Sequence, residues 1–280
     1  MSLFSNLRTA LDIKLVSVDG RSIRFILSGV TTAFANALRR VISAEVPCMA
    51  IDDVFVIENQ SVLFDEILAH RLGLVPLTTD LESYVLPEDC ACKSDLGCPR
   101  CRVALTLDVK APDGDVLTVY SRDLKSEDPR VVPVSGDIPL VKLAPNQRVR
   151  IEAYARLGRG KDHAKWKPVT VCAYKYYPMI DIDAKRCTRC GECVEICPKG
   201  VLEVAEDRLV IKDLLGCMSC RDCEGRCPLK PPAIKIGWDE STFVFYVEGT
   251  GSLPINRVIV TAAAILREKA RTLAQELREA

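Results

Sequence analysis

The sequence predicts an α+β fold interrupted by a cysteine-dense insertion, and three observations carry that expectation. Residues Val103 to Val109 and Arg148 to Ala155 alternate apolar and polar side chains, as half-buried strands do, and the Pro, Gly and Asp residues between them mark turns. Residues Ile255 to Glu279 instead repeat apolar side chains at helical spacing with charges opposite. The composition changes sharply at Cys187 and reverts after Pro232.

In chain order, Leu11, Ile13 and Leu15, then Ile23, Phe25 and Leu27, alternate with polar residues around Asp19-Gly20, which reads as a β-hairpin. A helix is expected next, capped by Thr31 or Thr32, with Phe34, Leu38, Val41 and Ile42 on one face and Pro47 ending the segment. A second, shorter helix is expected over roughly Phe64 to Leu72, with Ile67, Leu68 and Leu72 inward and Gly73 stopping it. The middle of the chain is predicted mostly β. A final strand, Thr242 to Val247, leads through Gly249-Thr250-Gly251 to Pro254. The last helix aligns Ile255, Val258, Ala262, Ile265, Leu266, Leu273 and Leu277 in one stripe and spans about 37 Å. That exceeds what a small domain needs for its own core, so a partner helix is the expected recipient of the stripe; packing within its own chain is the alternative.

With 280 residues, 48% of them hydrophobic, the chain has material for about two or three domains. Its 38 basic and 38 acidic residues cancel, so it lacks the cationic excess with which proteins hold nucleic-acid backbones, and no direct nucleic-acid binding is expected. The first residues show no basic segment followed by an apolar run, and no stretch of about eighteen uncharged apolar residues occurs, so a cytoplasmic protein without a membrane partner is expected.

Twelve of the fourteen cysteines fall in three tight clusters, which is ligand spacing rather than the layout of a secreted disulfide framework. Cys187-x2-Cys190-x2-Cys193-x3-Cys197-Pro198 is followed by Cys217-x2-Cys220-x2-Cys223-x3-Cys227-Pro228, the same pattern twice. This doubled motif resembles the bacterial-type ferredoxins over residues 177 to 232. In two-cluster ferredoxins, thiolates on one tight loop bind adjacent irons of one [4Fe-4S] cubane while the fourth cysteine, followed by proline, serves the other. The resemblance implies Cys187, Cys190, Cys193 and Cys227 for one cluster, and Cys217, Cys220, Cys223 and Cys197 for the second. Four-thiolate zinc sites also use two-residue spacers, but the duplication and the cysteine-proline endings favour iron and sulfide.

A third group, Cys90-x-Cys92-x5-Cys98-x2-Cys101, lies in the loop Pro87 to Arg102. Four thiolates this close suit a tetrahedral structural zinc ion that fixes a loop too small for a core. Two local disulfides are the competing arrangement, disfavoured in a reducing compartment.

Cys48 and Cys172 sit among apolar residues, where an inert buried thiol is the ordinary case. His70 and His163 lack a cysteine or serine placed by motif to make a catalytic pair, so structural hydrogen bonding is their expected role. The sequence has no G-x-G-x-x-G after a strand, no P-loop and no aspartate triplet for paired magnesium ions, so it supplies no recognisable active site.

Longer motifs carry a further resemblance. Phe34-Ala-Asn-Ala-Leu-Arg-Arg-Val, then Val46-Pro47 and Ala50-Ile51, then Asp65-Glu-Ile-Leu-Ala-His-Arg-Leu-Gly-Leu-Val-Pro76-Leu77, resemble the alpha-type assembly subunits of multisubunit RNA polymerases. Gly158-Arg-Gly-Lys-Asp-His-Ala-Lys-Trp166-Lys-Pro168 and Phe243-x-Phe245-x-Val247-Glu248 extend the match over nearly the whole chain. With its cysteine insertion the chain is similar to the archaeal D-type members of that family. The resemblance implies an alpha-subunit-like dimerisation domain from residues 1–47 and 233–280, an inserted β-rich domain at 48–176 and a ferredoxin-like module at 177–232. It also implies that the helix carrying Asn36, Leu38, Arg39 and Arg40 joins the C-terminal helix in a heterodimer with subunit L. That platform then receives subunits N, P and B, the last of them the second-largest chain of the enzyme, while the catalytic aspartates belong to the largest. The Cys90 to Cys101 group is similar to the zinc loop of the eukaryotic counterpart, with a longer gap between its second and third cysteines. Many archaeal relatives keep the ligands of one cluster or none, whereas all eight are present here.

The expected function is therefore a noncatalytic assembly subunit of DNA-directed RNA polymerase. The alternative, a ferredoxin-type electron-transfer subunit of an oxidoreductase, leaves residues 1–176 without a role, since no flavin or nicotinamide motif is present. A module of about 56 residues buries little core, so its clusters are also expected to hold it folded.

Overall fold

A computed structural model describes residues 11–94, 97–206 and 208–279. The chain runs through β1 (Asp12–Asp19), β2 (Ser22–Ser28), α1 (Thr32–Ala44), β3 (Cys48–Asn59), α2 (Asp65–Gly73) and β4 (Arg102–Lys110). It continues through β5 (Leu117–Tyr120), β6 (Lys125–Ser126), β7 (Pro139–Leu143), β8 (Arg148–Gly158) and β9 (Val169–Ile182). The last third holds α3 (Glu192–Glu195), β10 (Leu202–Ala205), β11 (Arg208–Ile211), α4 (Asp222–Arg226), β12 (Ile234–Gly249) and α5 (Ile255–Glu279). Two compact units result: residues 11–18, 23–36 and 173–246 make one, and residues 19–22, 37–172 and 247–279 the other.

In the first unit a four-stranded sheet has the order β1-β2-β12-β9. Its core is aromatic: Phe25 and Phe245 stack with ring centroids 5.0 Å apart, and Tyr174 meets Phe243 edge-on at 5.4 Å. The β1-β2 hairpin forms around Asp19-Gly20 as expected, yet every residue of the edge strand β1 is exposed, including Ile13 at 60% and Leu15 at 57%. At the start of α1, the Thr31 hydroxyl accepts the Phe34 N–H at 3.3 Å, which makes Thr31 the cap. Phe34 itself points away from the core, against expectation, and Ala35 takes the buried position in line with Leu38 and Ile42.

β12, at 16 residues, is much longer than the expected Thr242 to Val247, and β9, at 14 residues, is not singled out by the sequence; the cysteine module grows from the ends of both. Ile180 and Ile182 at the close of β9 pack with Ile234 and Ile236 at the start of β12, and the Asp183 N–H donates to the Ala233 carbonyl at 2.8 Å. Above that base stands a small antiparallel pair, Leu202↔Ile211 to Ala205↔Arg208.

In the second unit β3, β8, β4 and β6 form a sheet in that order, with β5 and β7 paired separately. Leu68 and Leu72 of α2 join Leu105, Leu107 and Ile151 in a single apolar core. Ile67 is 48% exposed, so the inward face of α2 is narrower than expected. The helix also includes Gly73 and is capped by Leu74 in a right-handed conformation, so Gly73 is its last residue rather than a left-handed stop. In α5 only Ile255, Val258 and Ala262 are buried; Leu273 and Leu277 are 57% and 70% exposed.

The segment from Gly158 to Pro168 is a structural clasp in this unit. A side chain on Gly158 would meet the Trp166 ring at 2.3 Å, and one on Gly160 would meet the Ser43 carbonyl at 2.4 Å, so both positions require glycine. Lys165 lies over the Trp166 ring at 4.4 Å and, with Arg156, pairs with Asp52. Arg159 pairs with Glu88 and so ties the clasp to the loop that carries the third cysteine group. His163 is part of the clasp, its Nδ1 accepting the Lys165 N–H at 3.0 Å.

Candidate cofactor and metal centres

The doubled motif folds into two loops of matching backbone. In the first, Arg189 and Gly191, flanking Cys190, have φ of 59° and 82°; in the second, Ser219 and Arg221, flanking Cys220, have φ of 57° and 67°. Left-handed residues on both sides of the middle cysteine curl each loop inward, and for Ser219 and Arg221 that conformation carries a strain cost of about 1 kcal/mol or more. α3 follows one loop and α4 the other, so the repeat in sequence is a repeat in structure.

Each loop encloses a small cavity, and the two are nearly equal in size. Cys187, Cys190, Cys193 and Cys227 line the first, with Val204, Leu209 and Ile234 as apolar walls. Cys197, Cys217, Cys220 and Cys223 line the second, with Ile180, Val201 and Ile236. The late cysteine of each motif thus reaches the cavity of the other. Electrostatics repeat the grouping. Burial raises the Cys193 thiol, and Cys187, Cys190 and Cys227 raise it further. Burial likewise pushes Cys223 up to about 11, with added effects of Cys217, Cys220 and Cys197. Thiols held together in an apolar pocket resist ionising one by one, and a cationic iron centre reverses that preference. Backbone N–H groups of Ser219 and Ala233 donate to the sulfurs of Cys217 and Cys227, both at 3.4 Å, a pattern that also suits cluster thiolates. The donor sets, their separation into two cavities and the apolar walls fit two iron-sulfur clusters.

Among the described residues, three of the seven buried in the core of the module, Cys193, Cys217 and Cys223, are cysteines.

The third group is geometrically distinct. The ligand atoms of Cys90, Cys92, Cys98 and Cys101 all lie within 4.8 Å of one another. Sulfur separations are 3.7 Å for Cys90–Cys98 and 3.8 Å for both Cys92–Cys101 and Cys98–Cys101. A regular tetrahedron with Zn–S bonds of about 2.3 Å has edges of about 3.8 Å. Disulfides need sulfurs about 2.05 Å apart, so the four side chains are arranged around a point rather than in bonded pairs. The Arg100 backbone N–H pulls the Cys98 thiol down to about 7, while burial pushes Cys101 up to about 12.

Cys48 and Cys172 stand apart from these centres. The Cys48 sulfur is 3.5 Å from the Thr79 hydroxyl, Cys172 donates to the Arg39 carbonyl at 3.7 Å, and burial raises both thiols, Cys172 to about 11. The sequence reading missed the contacts around the second cavity. Lys175 and Arg24 reach its loop from the sheet, and no motif marks them. No helix among the described residues is long and apolar enough to cross a membrane.

Comparison with known proteins places these centres in a family. Residues 51–184 match the RNA polymerase Rpb3/RpoA insert domain, and residues 186–230 match the 4Fe-4S dicluster domain. The chain is 42% identical to DNA-directed RNA polymerase subunit Rpo3 of Methanosphaera stadtmanae over 96% of its own length and 99% of that protein. It is 45% identical to the subunit of the same name in Methanothermobacter thermautotrophicus, over 93% and 96% of the two chains. The Rpo3 of Pyrobaculum arsenaticum is 41% identical over 95% of each. Similarity at this level along almost all of both chains means that the chain belongs to the Rpo3 family of DNA-directed RNA polymerase subunits.

Proposed function

We propose that the chain is the D-type scaffold of an archaeal RNA polymerase, noncatalytic itself, which pairs with subunit L and then receives subunits N, P and B. The observation that carries this reading is apolar surface left bare on the elements to which the resemblance assigns pairing. Phe34 on α1 and Leu273 and Leu277 on α5 are each 40–70% exposed. Solvated faces of strands and helices are ordinarily polar, and apolar ones signal a partner. The zero net charge accords with a role built on protein contacts rather than on phosphate binding.

In this reading residues 1–47 and 233–280 are the dimerisation domain, 48–176 the β-rich insert and 177–232 the iron-sulfur module. Two [4Fe-4S] clusters are held, one by Cys187, Cys190, Cys193 and Cys227 and the other by Cys217, Cys220, Cys223 and Cys197; the separate cavities support that division. When bound, each cluster supplies a covalent hub for its loops and a one-electron centre. Cys90, Cys92, Cys98 and Cys101 hold a structural zinc ion, which the sulfur spacing supports. The protein works in the cytoplasm with its polymerase partners.

Stepwise reconstitution tests the scaffold role. Subunits N, P and B are expected to enter one complex with L when this chain is added. Equal assembly without the chain contradicts the reading.

A further inference from the structure

The two cysteine loops are tied down from different places. Beside the Cys187 loop, Arg186 donates to the Pro231 carbonyl at 2.6 Å, a contact internal to the module. The Cys217 loop is gripped from the four-stranded sheet. Lys175 on β9 donates from Nζ to the carbonyls of Leu215 and Cys217, both at 2.6 Å. Arg24 on β2 donates from Nη2 to the same Leu215 carbonyl at 2.9 Å.

Two cations converging on one carbonyl repel each other, and both lose part of their hydration, for Lys175 and Arg24 are only half exposed. Carbonyl dipoles and the nearby, solvent-exposed Asp213 carboxylate offset that cost in part. A cluster held by four thiolates, Cys217 among them, would add negative charge beside both cations. An electron entering such a cluster adds further negative charge, which cations held close by favour, and net charge is one of the factors that set a cluster's potential.

We propose that Lys175 and Arg24 are positioning residues for the cluster of Cys197, Cys217, Cys220 and Cys223, fixing its loop to the sheet and raising its reduction potential. The proposal rests on the ligand reading given above.

Full-length protein purified without oxygen, titrated at controlled potential and followed by electron paramagnetic resonance, tests it. The expected wild-type protein holds eight irons in two components. K175M shifts one component to lower potential, or loses its four irons, and leaves the other unmoved. K175R stays near wild type, and R24M moves the same component in the same direction. If K175M does not fold, K175Q, which keeps a donor but not the charge, and R24M decide the matter. Two components that neither K175M nor R24M moves, or that both move together, overturn the proposal while leaving the ligand reading intact. A wild-type protein with only four irons overturns the ligand reading and the proposal with it.

Discussion

Asp52 receives two cations, Lys165 and Arg156, and its side chain is only 17% exposed. Burial by itself would raise its carboxyl, but the paired cations, Lys165 first, outweigh that and hold it below the ordinary value. Its ionised form therefore stabilises the fold above the unfolded value of about 3.9, and that contribution disappears as pH falls through the lower folded value. D52N should lower stability by about 2 kcal/mol near neutral pH, because it leaves two cations facing a neutral amide. Thermal melts should show the gap between wild type and D52N narrowing as pH drops below about 4. A gap that is constant with pH would assign the loss to packing instead. Single residues were also where sequence reasoning went astray. Phe34 and Ile67 look like core side chains by periodicity but are exposed, since spacing alone does not tell a covered apolar side chain from a bare one.

At the scale of elements, the cysteine loops were legible because their ligands are local: spacing alone marks three of four side chains on each loop. The crossing of Cys197 and Cys227 depends on how two loops stack, which periodicity does not encode. Double variants test it directly. C197S/C217S should retain four irons per chain, since both changes fall on one cluster, whereas C197S/C187S should lose both clusters; equal iron loss in the two proteins contradicts crossed ligation. Since cysteines make up much of the module's described core, C187S or C217S should also reduce the ordered structure seen by circular dichroism and weaken subunit assembly. Unchanged spectra and stoichiometry would show that the module folds without its clusters. The third group makes a separate prediction. Metal analysis should find one zinc per chain, lost in C98S, with the melting temperature lowered in parallel. The lengths of β9 and β12 were not legible, because their outer halves pack on the cysteine module rather than on a periodic neighbour.

For the whole molecule, α5 separates folding from assembly. Its first two turns are buried through Ile255, Val258 and Ala262, while Leu273 and Leu277 stay in solvent. L273E/L277E should therefore leave the melting temperature of the isolated chain nearly unchanged, as surface substitutions do, yet abolish pairing with subunit L. The α+β class, the inserted module and the long terminal helix were all readable from the sequence, and family membership now stands on similarity along almost the full length. Which apolar stripes remain bare shows only in the folded chain, and the proposed scaffold role turns on that difference. Native mass measurement of the full-length chain coexpressed with subunit L tests it most directly. The expected result is a stable one-to-one heterodimer that L273E/L277E fails to form; a wild-type chain that remains monomeric in the presence of pure, folded L would contradict the proposed role.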